Sequence, residues 1–158
     1  IEEYNFQEFS AEKLFSNLNV SGEQLSKNCT QDLDIIINGI YSLPERILQQ
    51  KVREIDSKLI IPVIDSSGKI GPGILRGHVT FIGSFEQCKA IDYQDNDIRR
   101  RIRGGYFRVT LRIPSGNISF TFELDICAPA SCSGDELHSV LKMRKLLENS
   151  LNAKYFSP

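Results

Sequence analysis

Four stretches of the sequence hold residue types that could do chemistry. Asp65-Ser66-Ser67-Gly68-Lys69 joins a glycine turn to a cation, as phosphate loops do, but it lacks the upstream glycine and the Ser or Thr after the lysine that complete such a cradle. A turn accounts for it better: Asp65 accepts backbone hydrogen bonds and Gly68 supplies positive φ, leaving Lys69 as the charge on a polar rim. Ser66 or Ser67 with His78 and Asp65 has the side chains of a hydrolase triad, yet no Gly-x-Ser-x-Gly elbow raises a nucleophile. Cys29, Cys88, Cys127 and Cys132 have no CxxC spacing, and His78 and His138 stand alone, so structural zinc, which takes paired ligands, is not expected. No other cofactor is implied.

The fourth stretch is Arg99-Arg100-Arg101-Ile102-Arg103, which follows Tyr93-Gln94-Asp95-Asn96-Asp97. It reads as a solvated loop, with two functional options. Arg100 and Arg101 could meet anionic lipid or sulfated glycan, or the Arg-x-x-Arg spacing could serve a secretory protease acting on an exposed loop. The acidic residues just upstream weaken the first option. Asp65, Lys69, His78, Arg100 and Arg101 are thus the candidate binding residues.

The balance of 19 Lys+Arg against 20 Asp+Glu, net charge -1, argues against a nucleic-acid partner, which draws a basic surface. With 41% hydrophobic and 25% charged residues the chain is of ordinary globular composition. Its longest apolar runs, such as Leu59-Ile60-Ile61, fall far short of the roughly 20 residues of a membrane span. An even cysteine count and three sequons, at Asn19, Asn28 and Asn117, together favour an oxidising extracellular or lumenal setting in the secretory pathway. The chain begins at Ile1 without a signal peptide, which reads as a processed or excised ectodomain.

These residues must be positioned by an α+β fold, helical in its first half and mainly strand in its second. Residues 1–158 read as one domain without repeats. Ser10 is expected to cap a short helix to about Asn17. Ser21-Gly22-Glu23-Gln24 opens a second, with Leu25, Cys29, Leu33, Ile36, Ile37 and Ile40 on its buried face. Ser42-Leu43-Pro44-Glu45 ends that helix and caps a third through Ile55. Leu59 to Ile64 predicts a short or edge strand because of Pro62, and Gly73 to Phe85 another, with Gly77 as a bulge. Phe107 to Ile113 and Ile118 to Ile126 alternate as an antiparallel hairpin turning at Pro114-Ser115-Gly116-Asn117. Its polar side sets Arg108 and Arg112 against Glu123 and Asp125. Ser133-Gly134-Asp135-Glu136 caps a last helix carrying Leu137, Val140, Leu141, Leu147 and Leu151.

The order of Asp65-Ser66-Ser67-Gly68-Lys69, Gly73-Ile74-Leu75-Arg76-Gly77, Gly83-Ser84-Phe85-Glu86-Gln87-Cys88 and Cys127-Ala128-Pro129-Ala130-Ser131-Cys132-Ser133 resembles the N-terminal extracellular domain of the nose resistant to fluoxetine proteins of nematodes and insects. The resemblance runs from about Cys29 to about Leu147. Two features depart from the family: there is no tryptophan before the Asp-Ser-Ser-Gly segment, and Tyr106-Phe107 stands where the family usually has Tyr-Cys, which removes one family disulfide. The four cysteines here allow three pairings. The preferred one joins Cys29 to Cys88, stapling the helical half to the sheet half, and Cys127 to Cys132.

The resemblance implies a non-catalytic extracellular domain of the kind that precedes a multi-pass membrane acyltransferase, with any transferase chemistry in that membrane part, which this fragment lacks. The expected role is to bind or present a lipid or hydrophobic small molecule, or to regulate the attached acyltransferase domain. The alternative is an ectodomain that meets another extracellular protein without a small-molecule site. An apolar cavity would favour the first, and a dry core with an exposed apolar patch the second.

Overall fold

The computed structural model describes residues 25–96, 99–115 and 117–141. Ser26 caps helix α1 (Lys27–Leu48), its hydroxyl accepting from the Cys29 amide, as N-cap serines do. The helix expected at Ser10 and the Ser21 capping box lie outside the described residues. Cys29, Leu33, Ile36 and Leu43 form the buried stripe of α1 at the helical spacing read from the sequence.

No separate helix starts at Ser42, because α1 continues through Pro44 to Leu48. Proline removes one intrahelical bond, while side chains add bonds to the turn before it. Ser42 Oγ donates to the Asn38 carbonyl at 2.6 Å, and Arg46 folds back to the Gly39 carbonyl at 3.1 Å. The same guanidinium forks onto Asp56, whose side chain is fully buried. Burial pushes the Asp56 carboxyl up, and hydrogen bonds from Arg46 and the Arg53 backbone outweigh it, leaving its pKa lowered.

The strand expected over Leu59 to Ile64 is helical instead: a π turn, Asp56–Ile60, leads into α2 (Ile61–Ser66). Pro62 sits in the first turn of α2, a position that proline tolerates. Leu59, Ile60 and Val63 are buried together, so the apolar run serves helical rather than alternating spacing. The strand expected over Gly73 to Phe85 shrinks to β1 (Thr80–Phe81). Gly73 and Gly77 adopt φ of 101° and 89° on either side of a 3-10 turn, Ile74–Arg76, a left-handed backbone that glycine takes without penalty.

Ser84 then caps α3 (Phe85–Lys89), followed by β2 (Asp92–Asp95), β3 (Arg100–Ser115) and β4 (Ile118–Pro129). Residues 134–141 form α4, and its capping box closes as expected. Glu136 Oε2 accepts from the Ser133 amide at 2.7 Å, and Ser133 Oγ accepts from the Glu136 amide at 3.2 Å. The other Glu136 oxygen accepts from the Ser26 amide at 2.6 Å, so one carboxylate holds the starts of two helices, as helix N-termini favour.

The sheet order is β1-β4-β3-β2. It is mixed rather than wholly antiparallel, since β1 runs parallel to β4. The hairpin has the predicted register parity, pairing Phe107 with Ile126, Val109 with Leu124 and Arg108 with Asp125. The basic run is not a loop: β3 begins at Arg100 and pairs with β2 through Arg103.

The two faces of β4 lead into two core clusters, and each cluster contains one disulfide. Cys127 joins Cys88 among Ile36, Leu59, Ile60, Ile91 and Ile102, while Cys29 joins Cys132 among Leu33, Ala128 and Leu137. This corrects the expected pairing of Cys29 with Cys88 and Cys127 with Cys132. Successive strand residues point to opposite faces, so Cys127 and Ala128 part, and Cys132, just past the strand, lies in the cluster built on Ala128. The helical half is still stapled to the sheet half, by Cys29–Cys132.

Candidate functional site

The segments that could carry chemistry meet β4 along one edge. Val79 O accepts from the Glu123 amide at 2.8 Å where β1 pairs. Beyond it, the Gly68 amide donates to Asp125 O at 2.7 Å and the Cys127 amide to Ser67 Oγ at 3.0 Å. Ser67 and Gly68, just past the end of α2, thus extend the sheet edge, and Gly68 does not take the positive φ expected of it. A Cβ on Gly68 would collide with the Phe81 carbonyl, so only glycine allows this backbone approach.

Asp125 is the centre of the clasp. Its side chain is 1% exposed and accepts from Tyr106 Oη at 2.7 Å, Arg108 Nε at 2.7 Å and the Gly83 amide at 3.4 Å. The Arg108 guanidinium, helped by Tyr106 and Gly83 against burial, holds the Asp125 carboxyl at a pKa of about 2. Burial and the same carboxylate raise the Tyr106 hydroxyl. Gly83 and Ser84 are fixed from the other side too, the Ser84 amide donating to Ser66 O at 2.8 Å. The hairpin alternation brought Asp125 opposite Arg108. The Gly83 contact escaped sequence reasoning because it depends on where the loop before α3 docks, and Tyr106, the diagonal neighbour of Asp125 on the same hairpin face, stands one residue before the alternation read from Phe107.

The triad constellation is not assembled. Ser66 is buried and its hydroxyl donates to the Pro62 carbonyl at 2.6 Å, and Ser67 Oγ donates to the Val63 carbonyl at 2.8 Å. Both serines serve helix α2 and the sheet edge. Lys69 Nζ reaches back to the Asp65 carbonyl at 2.9 Å, with both side chains about two thirds exposed.

Lys69 and His78 border one open depression of about 530 Å³ together with Ile82. His78 also borders a second, of about 700 Å³, with Pro72, Ile74 and Arg76. Around them Ile70 is 70% exposed and Ile82 71%. Lys69 and His78 therefore belong to one loop surface, Asp65 stands in the last turn of α2, and Arg100 and Arg101 lie at the β2–β3 end of the sheet.

Arg100 is absorbed into the architecture. Its guanidinium pairs with Asp32 and donates to Gln31 Oε1 and the Asn28 carbonyl, both at 2.8 Å, tying β3 to the first turns of α1. Ser131 adds a hydrogen bond to Asp32 at 2.5 Å. Arg101 forks onto Asp92 across the β2–β3 pair, at 2.7 Å through Nε, and this hydrogen bond lowers the Asp92 carboxyl and raises Arg101. Asn28 is exposed at the start of α1 and Asn117 is exposed in the hairpin turn, whereas Asn19 lies outside the described residues. Among the described residues no group of three or more His, Cys, Asp or Glu side chains is placed to hold a metal, and no helix is long and apolar enough to cross a membrane.

These features define a disulfide-clamped α+β domain in which the recognisable sequence segments converge on one sheet edge. The chain belongs to the nose resistant-to-fluoxetine N-terminal domain family: the family described as "Nose resistant-to-fluoxetine protein, N-terminal domain" matches residues 29–141, more than half of the 158 residues. Comparison with curated proteins and with solved structures returned no match to either. Two disulfides fit the oxidising extracellular or lumenal setting in which such bonds persist.

Proposed function

We propose that this domain is a non-catalytic recognition module on the extracellular or lumenal side, and that its working surface is the loop of residues 69–82. The partner is another protein surface, including an attached membrane acyltransferase domain in a longer chain. The observation that carries this reading is the exposure of Ile70, Ile74 and Ile82 on a loop anchored at both ends to β4. Exposed apolar side chains can form an interaction surface, and anchoring of the loop that carries these three limits the ordering entropy lost on binding. A second reading, a lipid or hydrophobic small molecule bound at the same place, draws on the two depressions bordered by Ile74 and Ile82.

The test is a photo-crosslinking residue placed in the full-length chain at position 70 or 82, and at the exposed Glu45 on α1 as control. Crosslinks to protein from 70 and 82, absent from 45, are the expected result. Ile70→Ser and Ile82→Ser are expected to reduce partner capture while moving stability by no more than about 0.5 kcal/mol, as for other exposed sites. Equal crosslinking from all three positions contradicts the assignment of this surface.

A further inference from the structure

We propose that Asn28 is an N-glycosylation site open only until the Cys29–Cys132 disulfide closes, whereas Asn117 remains open in the folded domain. The inference rests on the extracellular or lumenal reading. The sequon Asn28-Cys29-Thr30 has a half-cystine as its middle residue, and that cysteine is fully buried in the folded domain. All three residues lie in the first turn of α1. The Thr30 hydroxyl, which an acceptor site must offer beside the amide, donates instead to the Ser26 carbonyl at 3.0 Å, and the Asn28 carbonyl is held by Arg100 at 2.8 Å. A tripeptide bound in this way cannot bend into a transferase site without unwinding the turn, breaking the Arg100 clasp and displacing the disulfide.

The order of synthesis leaves a window. Cys132 follows Cys29 by 103 residues, roughly 5–20 s at ordinary synthesis rates; throughout that interval the Asn28 segment lacks its disulfide partner, and for most of it Arg100 as well, which follows Asn28 by 72 residues. In the modification, Asn28 Nδ2 forms a bond to C1 of a sugar carried on a lipid pyrophosphate. The C1–O bond breaks, the lipid pyrophosphate leaves, and the amide proton passes to a base of the transferase. Closure follows when the Cys29 and Cys132 thiols give two electrons and two protons to a disulfide-bearing oxidoreductase. Asn117 is held more lightly: it is exposed in the turn between β3 and β4, Ile118 and Ser119 pair only at the turn end of the hairpin, and no disulfide has to be displaced.

The experiment has two arms. Glycopeptide mass spectrometry of the chain secreted from a eukaryotic host is expected to show sugar on both Asn28 and Asn117, with Cys29–Cys132 formed in the same molecules. The unglycosylated oxidised domain, treated with purified oligosaccharyltransferase and its lipid-linked sugar, is expected to be modified at Asn117 and not at Asn28. The same domain after reduction is expected to gain modification at Asn28, with Asn117 as the internal control. Asn28 modified equally before and after reduction overturns the inference, and so does Asn28 left bare in the secreted or the reduced chain while Asn117 is modified. A secreted chain with neither disulfides nor sugar at either site overturns the lumenal reading itself.

Discussion

Asp125→Ala is expected to destabilise the domain by about 3 kcal/mol, the lower end of the range for removing one partner of a buried ion pair. The lower end applies because Arg108, 54% exposed, can turn to water once orphaned, whereas the Tyr106 hydroxyl and the Gly83 amide lose a buried acceptor. Asp125→Asn is expected to fall between, since its carbonyl can still accept one of these donors while its amide group meets the others. The pH dependence has a definite sign. The folded carboxyl is held at about 2, below its ordinary 3.8, so its stabilisation is complete above the unfolded value and is lost as pH falls from about 4 through 2. That amounts to about 2 kcal/mol. Urea melts at pH 7 and pH 2.5 check this: the native domain loses stability on acidification, and Asp125→Ala loses about 2 kcal/mol less. Equal acid losses in the two proteins contradict the clasp.

Removal of either disulfide is expected to have an effect at least as large. Chain-entropy arithmetic gives about 5 kcal/mol for the 103-residue Cys29–Cys132 loop and about 4 kcal/mol for the 39-residue Cys88–Cys127 loop. Each cystine also fills its own core cluster, so Cys29→Ser with Cys132→Ser loosens the seat of α4 on α1, while Cys88→Ser with Cys127→Ser loosens α3 against β4. A small domain has only some 5–15 kcal/mol of total stability, so the chain lacking both bonds is expected to be unfolded at 37 °C. Denaturant melts of the two double variants provide the check. A loss below about 1 kcal/mol in either contradicts the two-cluster description.

The parts of this fold that were legible in the sequence are those set by local periodicity. Phe107 to Ile113 and Ile118 to Ile126 alternate with period two and form β3 and β4, and the Ser133–Glu136 capping box opens α4. Reading failed where a tertiary contact decides between local options. The run from Leu59 to Ile64 has β-branched residues and a proline, but its helical form buries Leu59, Ile60 and Val63 beside α1 and seats Asp56 on Arg46. Pro44 looks like a helix end, but α1 runs on through it to Leu48, with Ser42 and Arg46 adding side-chain bonds to the preceding turn. Cysteine pairing was out of reach for a different reason: the choice turns on which face of β4 each residue meets, and only the completed strand shows Cys127 and Ala128 parting.

The candidate site was half legible. Lys69 and His78 border the same depression, but the turn reading of Asp65-Ser66-Ser67-Gly68 misses that Asp65 and Ser66 close helix α2 and that Gly68, without positive φ, is required by its close approach to the Phe81 carbonyl. Arg100 and Arg101 looked like a free basic run, since their partners Asp32 and Asp92 are distant along the chain or across a strand pair that composition cannot show. The Arg-x-x-Arg spacing consequently lies in a paired strand, with Arg100 engaged on α1. A secretory protease needs an extended, accessible segment, so this geometry disfavours cleavage there.

Native mass spectrometry of the domain secreted from a eukaryotic host, before and after incubation with mixed lipids and organic extraction, tests the recognition-surface account most directly. The predicted result is a polypeptide mass lower by two disulfides, with no retained lipid-sized adduct. A stoichiometric, extractable adduct that survives Ile70→Ser and Ile82→Ser would contradict it and place a hydrophobic ligand site elsewhere in the domain.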